Sequence, residues 1–480
     1  MDILTPVLTI LLPVLEVLGI LTAMHAILFT RSVQGAIAWA ITLVVMPWIA
    51  LPLYWVLGRN KFYGYVEALR AGNVQSHHQT DRTIKKMERY ASPQAYHEGG
   101  IEDGDEVYVH LAGVPFTGEN AAELLINGQE TFDAMFSRMA EANQYLLLEF
   151  FIVRDDRIGK QLQELLIRKA EEGVKVYFLY DEIGSRKLSE PYIDGLRRAG
   201  VEIHSFSTTR GWYNRFQINF RNHRKIVVVD GRVGFVGGHN IGDEYLGRKR
   251  KYGPWRDTHV MVEGPSVLGL QMAFGADWFW AVGKKLEIVW NVHPAPTGNL
   301  NVLPLATDPS QYLDSCLLFF LHAILSAKTR VWIASPYFVP DDAIINALLV
   351  AALKGVDVKI ILPGRPDKKI VYLASFAYLP RLLSVPNITI YRYKPGFMHQ
   401  KVMVIDGQTA VIGSANFDNR SFYLNFEMNM IIKDRDFTAR VENMLLADIQ
   451  QSRQVVYPDN RTTLLFRLMV RLSSLFSPIL

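Results

Sequence analysis

Two histidines, two lysines and two asparagines recur in this chain in one register, and these residue types handle phosphate. The first copy reads His223-Arg224-Lys225, four β-branched residues, Asp230-Gly231, then Gly237-Gly238-His239-Asn240. The second reads His399-Gln400-Lys401, four apolar residues, Asp406-Gly407, then Gly413-Ser414-Ala415-Asn416. His399 follows His223 by 176 positions (399 − 223), and the Lys, Asp and Asn positions repeat at that interval. Two copies in one register, with matching sequels, are not an accident. A pair of histidines supplies a nucleophile and a separate acid/base, the minimum for a double displacement. Two ammonium groups and two side-chain amides supply a clamp for a phosphoryl group without a cation.

The run Ile226, Val227, Val228, Val229 reads as a buried strand, and Asp230-Gly231 as a hairpin turn into a return strand. Side chains at i and i+2 share a face, so His223 and Lys225 point the same way, as do His399 and Lys401. Asp230 has the opposite parity and lies about 23 Å further along an extended strand. Asp230 and Asp406 therefore complete the catalytic motif as turn residues that fix the strand, not as partners of the histidines. A working histidine also needs a group to hold its tautomer and ring plane. Asp257 and Glu427, each opening a strand after its motif, are the candidate orienting carboxylates.

These residues need elements to carry them. From 145 to 180 the pattern is strand, helix, strand, and from 330 to 362 it is strand, helix, strand again, the βαβ grammar of a largely parallel sheet. Gly173-Val-Lys-Val matches Gly355-Val-Asp-Val, so the duplication extends beyond the motif. A helical pattern over 121–143 precedes the first of these strands. Loops at Asp181, Gly184, Ser185 and at Pro363, Gly364, Arg365 close strand ends that commonly line a ligand crevice. They are substrate contacts or ordinary loop caps.

Ahead of this body stand two apolar runs, 3–29 and 35–57, each long enough to cross roughly 30 Å of hydrocarbon as a helix. They help to raise the hydrophobic share to 49% and the mean hydropathy to +0.09 beside an ordinary 20% of charged residues. The intervening loop carries Arg31, while Arg59, Lys61 and Arg70 follow the second run. The positive-inside rule then gives a two-helix hairpin with both ends and the body in the cytoplasm. Glu16 in the first run is either a pairing group or close to the interface. Tyr54, Trp55, Tyr63 and Tyr65 suit an interfacial aromatic belt. Residues 62–105 read as a polar juxtamembrane linker with one helix near 83–90, and its His77-His78 as solvated, not metal-binding.

The expected division is 1–61 hairpin, 62–105 linker, 106–299 first half and 300–480 second half. The net charge of +4 is too modest for a dedicated nucleic-acid binder. Cys316, the single cysteine, rules out an intramolecular disulfide. Arg210, Arg215, Arg221 and Arg224, interleaved with Trp212, Tyr213, Phe216 and Phe220, and the run Arg248 to Lys251, suit attraction to an anionic bilayer. The same pattern suits nucleic acid or a solvated face. The tail 464–476 carries Arg467 and Arg471 among apolar residues, as in an interfacial helix or a core helix.

The doubled H-x-K-x4-D resembles the phospholipase D superfamily. With the amino-terminal runs and the Leu57-Gly58-Arg59-Asn60-Lys61 segment, the chain is similar to the bacterial cardiolipin synthases over nearly its whole length. The resemblance implies an α/β fold of two duplicated halves with mixed sheets and one site at their interface, with no metal or cofactor. One histidine forms a phosphohistidine while the other protonates the leaving alcohol, with His223 the expected nucleophile. Lys225, Lys401, Asn240 and Asn416 then neutralise phosphoryl oxygens, and Gly238 and Ser414 lie with them in the substrate-binding set. Gly238 departs from the pattern where a hydroxyl is usual.

The implied reaction joins two phosphatidylglycerol molecules into cardiolipin and glycerol at the bacterial inner membrane, in a multi-pass protein. A hydrolase with the same histidines and a non-catalytic lipid-binding scaffold are the alternatives. The product formed from labelled lipid separates all three.

Overall fold

The computed structural model describes residues 4–58, 61–92, 105–209, 217–456 and 463–480. Its body is built on one continuous mixed sheet, sixteen strands among the described residues, with two matching halves joined edge to edge. At the seam Thr117–Ile126 pairs antiparallel with Leu300–Thr307. Outward from the first follow Thr258–Glu263, Val233–Gly237, Lys225–Val229, Tyr145–Phe150, Lys175–Asp181 and Glu202–Phe206. Outward from the second follow Asn425–Lys433, Thr409–Gly413, Val402–Ile405, Arg330–Ala334, Asp357–Pro363 and Ile388–Tyr393, with Ser452–Gln454 at the edge. The order is the same in both halves, the physical form of the sequence repeat. Only the outer three strands of each main block are parallel, joined through helices; the inner four run antiparallel. The sheet is thus less parallel than the βαβ pattern implies.

Each motif strand is wholly buried and turns at Asp230-Gly231 (φ 52°, 66°) or Asp406-Gly407 (φ 53°, 66°). Two successive left-handed residues make a turn whose twist matches the flanking strands. The Asp230 carboxylate accepts the backbone N–H groups of Asn143, Gln144 and Tyr145 at 2.8–2.9 Å. Asp406 does the same for Lys328, Thr329 and Arg330 at 2.7–2.9 Å. Both motif aspartates therefore pin the start of the neighbouring strand, at the far end from the histidines.

Three expectations need correction. The helix expected over 121–143 begins only at Asn127, because residues 117–126 form the seam strand. Ala121-Ala-Glu-Leu-Leu has helical propensity, but pairing on both edges overrides it. The linker is also no tether. Tyr63–Glu88 is one helix, and Phe62 and Tyr65 are buried against Phe206, Phe220, Trp280 and Phe426. The Tyr65 hydroxyl donates to Asp277 at 2.7 Å. The side chains of His77 and His78, and Arg210, Trp212, Tyr213, Arg215 and Phe216, lie outside the described residues.

The third correction concerns the amino terminus. Leu4–Phe29 is a single helix, and its stretch Leu11–Phe29 is long and apolar enough to cross a membrane. The second run is not. It forms two helices, Val33–Val45 and Pro47–Leu57, broken at Met46 (φ −136°, ψ 57°) because Pro47 has no N–H and fits only a first helical turn. The Trp39 and Tyr54 rings lie 5.3 Å apart, whereas one straight helix would separate those positions by about 22 Å. The run folds back on itself.

Phe62 stacks on Phe220 and meets Trp280 edge-on. Phe62→Ala is expected to destabilise the body by about 3–5 kcal/mol through the cavity it leaves. Thermal unfolding in detergent, followed by tryptophan fluorescence, measures this; an unchanged melting temperature would detach the 63–88 helix from the core.

Candidate active site

The halves exchange segments at the site. Arg221–Asn222, just before His223, pairs parallel with Asn425-Phe426 of the second half. Trp255–Arg256 of the first half pairs parallel with Phe397–Met398, just before His399. The His223 N–H donates to the Phe426 carbonyl at 2.9 Å, and the His399 N–H to the Arg256 carbonyl at 2.7 Å. Each catalytic candidate is thus seated on the opposite half.

The carboxylates cross in the same way. His223 Nδ1 lies 2.9–3.0 Å from the Glu427 oxygens, and His399 Nδ1 lies 2.7 Å from Asp257 Oδ2. A carboxylate accepts, so Nδ1 carries the proton and Nε2 keeps its lone pair. Sequence order selects the two acids but does not reveal that each serves the other half's histidine. Lys225 and Lys401 each donate to the carbonyl of their own histidine, which leaves further ammonium protons for a ligand.

The copies differ beneath this symmetry. Glu427 also accepts from Ser414 Oγ and from Asn425 Nδ2 at 3.0 Å. Asp257 instead accepts from Trp255 Nε1 at 3.2 Å and the Thr258 N–H at 2.9 Å. A Cβ at Gly238 would lie 2.0 Å from Asp257 Oδ1, so glycine is required there to admit the carboxylate. Gly238 and Ser414 therefore shape the acids' seats. Asn240 is also largely committed, accepting from the Ile152 N–H at 3.0 Å and donating to the Tyr245 hydroxyl at 2.9 Å. The Asn416 side-chain carbonyl, by contrast, has no hydrogen-bond partner.

Burial dominates the electrostatics. It pushes His399 down to about 4, reinforced by Lys401 and opposed by Asp257. His223 falls well below the usual imidazole value through burial, Lys225 and Lys401. Burial also lowers Lys225 to about 7 and Lys401 to about 8. Burial favours protonation of both acids, but His239, His399 and Lys401 hold Asp257 well below the carboxylate range, whereas Glu427 remains raised. A neutral imidazole beside lysine charge suits attack on a phosphorus centre, and an imidazolium backed by an ionised carboxylate suits release from it.

Beneath the histidines lies a layer the motif reading missed. Arg224 is buried, bonded to Asp277 and to the Glu427 and Thr307 carbonyls (3.2 and 3.1 Å). It is not part of a lipid-facing basic stretch. Its counterpart Gln400 bonds Asp448 at 2.8 Å and Thr258 at 2.9 Å, while Arg256 grips both Asp448 oxygens at 2.7 and 2.8 Å. The signal was available in the alternation: if His and Lys face the site, the residue between them faces the core. Asp277, the single charge inside the helix Val267–Val282, was the other clue. Asp181 is a loop cap, accepting the Ile183, Gly184 and Asn222 N–H groups, and Ser185 accepts from Val153.

A family model described as "Cardiolipin synthase, PLD-like domain" matches residues 135–253 and 320–449, a span that holds both motifs. Cardiolipin synthase A of Pseudomonas putida (strain GB-1) is 45% identical over 482 residues, covering 98% of each chain. The chain belongs to the cardiolipin synthases. Cardiolipin synthase A of Pseudomonas aeruginosa (strain LESB58) is likewise 45% identical, covering 99% of this synthase and 97% of the relative. The crystal structure of phosphatidylserine synthase from Haemophilus influenzae Rd KW20 shares the fold, with a TM-score of 0.60 at 14% identity, over 78% of this chain and 99% of that one. The synthase is a phosphatidyltransferase of phospholipid biosynthesis, built as a duplicated phospholipase D-like α/β enzyme.

Gly238→Ala is expected to displace Asp257 and His399 and to lower turnover by about 100-fold, since a 1 Å misplacement suffices for that loss. Near-normal turnover would remove the steric argument. A second expectation concerns pH. The free-enzyme kcat/KM should fall at acid pH as His223 gains a proton, and again above about pH 7–8 as Lys225 and then Lys401 lose theirs. A profile flat to pH 9.5 would mean that the lysine charges are not used.

Proposed function

We propose that the synthase condenses two phosphatidylglycerol molecules into cardiolipin and glycerol through one site shared by its halves. His223 Nε2 attacks the phosphorus of the donor, and the phosphorus–oxygen bond to glycerol breaks. His399, entering the step as an imidazolium that Asp257 stabilises, gives its Nε2 proton to that departing oxygen. The phosphohistidine then meets the glycerol hydroxyl of the second lipid, which loses its proton to His399 as it attacks phosphorus and frees His223. Lys225, Lys401 and the amide of Asn416 take up charge on the phosphoryl oxygens. Asp257 and Glu427 orient the imidazoles, while Asp230 and Asp406 hold the strands.

The observation that carries this reading is the crossed pair of hydrogen bonds from His223 to Glu427 and from His399 to Asp257. Two imidazoles with matched supports suit attack and protonation on opposite sides of one phosphorus. The strongly ionised Asp257 favours His399 as the proton carrier, because it stabilises an imidazolium. His223, depressed by burial and by both lysines, suits the nucleophile, which must arrive unprotonated. The body faces the cytoplasm in this reading, at a bacterial inner membrane, with anionic lipid as its surroundings. The tail helix Leu464–Ser474 supports such a setting: Leu464, Leu465, Leu468 and Leu472 are exposed, while Phe466 meets Phe376 of the body.

Purified protein in mixed micelles with head-group-labelled phosphatidylglycerol is expected to yield equimolar glycerol and cardiolipin. His223→Ala and His399→Ala should each abolish both products. Phosphatidic acid as the main product would make water the acceptor and the protein a hydrolase. Full turnover in either alanine variant would break the shared-site reading.

A further inference from the structure

The second apolar run starts and finishes at one carboxylate. Arg31, just before it, lies 3.9 Å from Asp314, and Lys61, just after it, lies 3.6 Å from the same side chain. Arg31 also reaches Asp341 at 3.8 Å and covers the Tyr423 ring. Asp314, Asp341 and Tyr423 all belong to the catalytic body. A helical hairpin that crossed a bilayer twice would put Arg31 on the face opposite the body, about 30 Å away.

The bend in the run has a composition that water does not select. Val44, Val45, Met46, Trp48 and Ile49 are all exposed, and no polar residue stands from Leu43 through Leu53. A turn at a membrane surface would carry polar or charged residues. The break also leaves few free backbone groups: Pro47 has no N–H, Met46 donates to Thr42, and Ile49 and Ala50 donate to Met46.

The depth agrees. The bend meets the first helix at Gly19, where a Cβ would lie 2.4 Å from the Leu43 carbonyl and 2.9 Å from Pro47 Cβ. Gly19 is ten residues from Phe29, about 15 Å along the helix, or half of a bilayer's hydrocarbon thickness. The first helix continues beyond Gly19 to Leu4, about 22 Å further. Charge follows the same division, since residues 1–30 contain no Lys or Arg while Arg31 and Lys61 meet at the other end.

We propose that the chain crosses the bilayer once, through Leu11–Phe29, and that Val33–Leu57 is a re-entrant wedge embedded in the leaflet on the body's side. The Leu4 end of the first helix and the catalytic body then face opposite sides. The wedge takes the acyl chains of that leaflet as its partner.

The test uses the full chain in sealed membrane vesicles, in a Cys316→Ser background, with single cysteines at Thr5, Gln34 and Glu171. Each variant must retain synthase activity. A membrane-impermeant maleimide is expected to label Gln34→Cys whenever it labels Glu171→Cys on the body, and to label Thr5→Cys only from the other side. Labelling of Gln34→Cys opposite Glu171→Cys, with Thr5→Cys on the body's side, would restore the two-crossing hairpin and overturn the wedge. A nitroxide at Met46→Cys gives an independent reading. Relaxation by oxygen with exclusion of an aqueous nickel chelate is expected, and nickel access would overturn the proposal.

Discussion

The structure depends on a pair of buried hydrogen bonds that cross between the halves, His223 to Glu427 and His399 to Asp257. Removing one partner of a buried hydrogen bond leaves the other unsatisfied and typically costs about 1–3 kcal/mol, more where that group is charged. The seam of the sheet, where Thr117–Ile126 meets Leu300–Thr307 with an irregularity in register, also joins the halves. The exchanged strand segments and the crossed carboxylates join them a second time, at the site itself. Association of the halves and orientation of the histidines are therefore the same interaction. A half by itself lacks the acid its own histidine needs.

The same logic explains the residue between His and Lys in each copy. Arg224 and Gln400 point away from the site and share their hydrogen bonds between the two halves, reaching Glu427 and Thr307 across the seam in one case and Thr258 in the other. One copy uses a guanidinium with Asp277. The other uses an amide, and Asp448 turns to Arg256 for its charge. Duplication fixed the frame while the buried layer diverged, and with it the environments of the two acids. Ser414 beside Glu427 and bare Gly238 beside Asp257 show the same divergence one shell closer to the chemistry. Such asymmetry is what two identical motifs need if one histidine is to attack and the other to carry a proton.

What could be read from the sequence was whatever depends on short range. Period-two alternation places His and Lys on one face, and Asp-Gly after a β-branched run gives the turn, so the motif strands and the role of Asp230 and Asp406 were legible. The partnership of Asp257 with His399 was not, because it spans 142 positions and depends on how the halves dock. Residues 117–126 misled for a related reason: their local preference is helical, and only the two edges they bridge make them a strand. At the amino terminus hydropathy measured length correctly but not direction. Val33 to Leu57 has enough apolar residues to cross, and a single proline bends it back.

The distance between the membrane and the chemistry is also set by a short chain of contacts. Lys61 holds Asp314, and Phe62 and Tyr65 follow at once into a buried aromatic cluster. Tyr65 donates to Asp277, Asp277 accepts from Arg224, and Arg224 is the covalent neighbour of both His223 and Lys225. Burial leaves these groups no water to substitute for a lost partner, so the connection is rigid. His223 is thereby held at a fixed height and tilt relative to the amino-terminal helices. An enzyme whose donor and acceptor are both anchored by acyl chains gains from that arrangement, because each head group then meets the site with most of its freedom already removed.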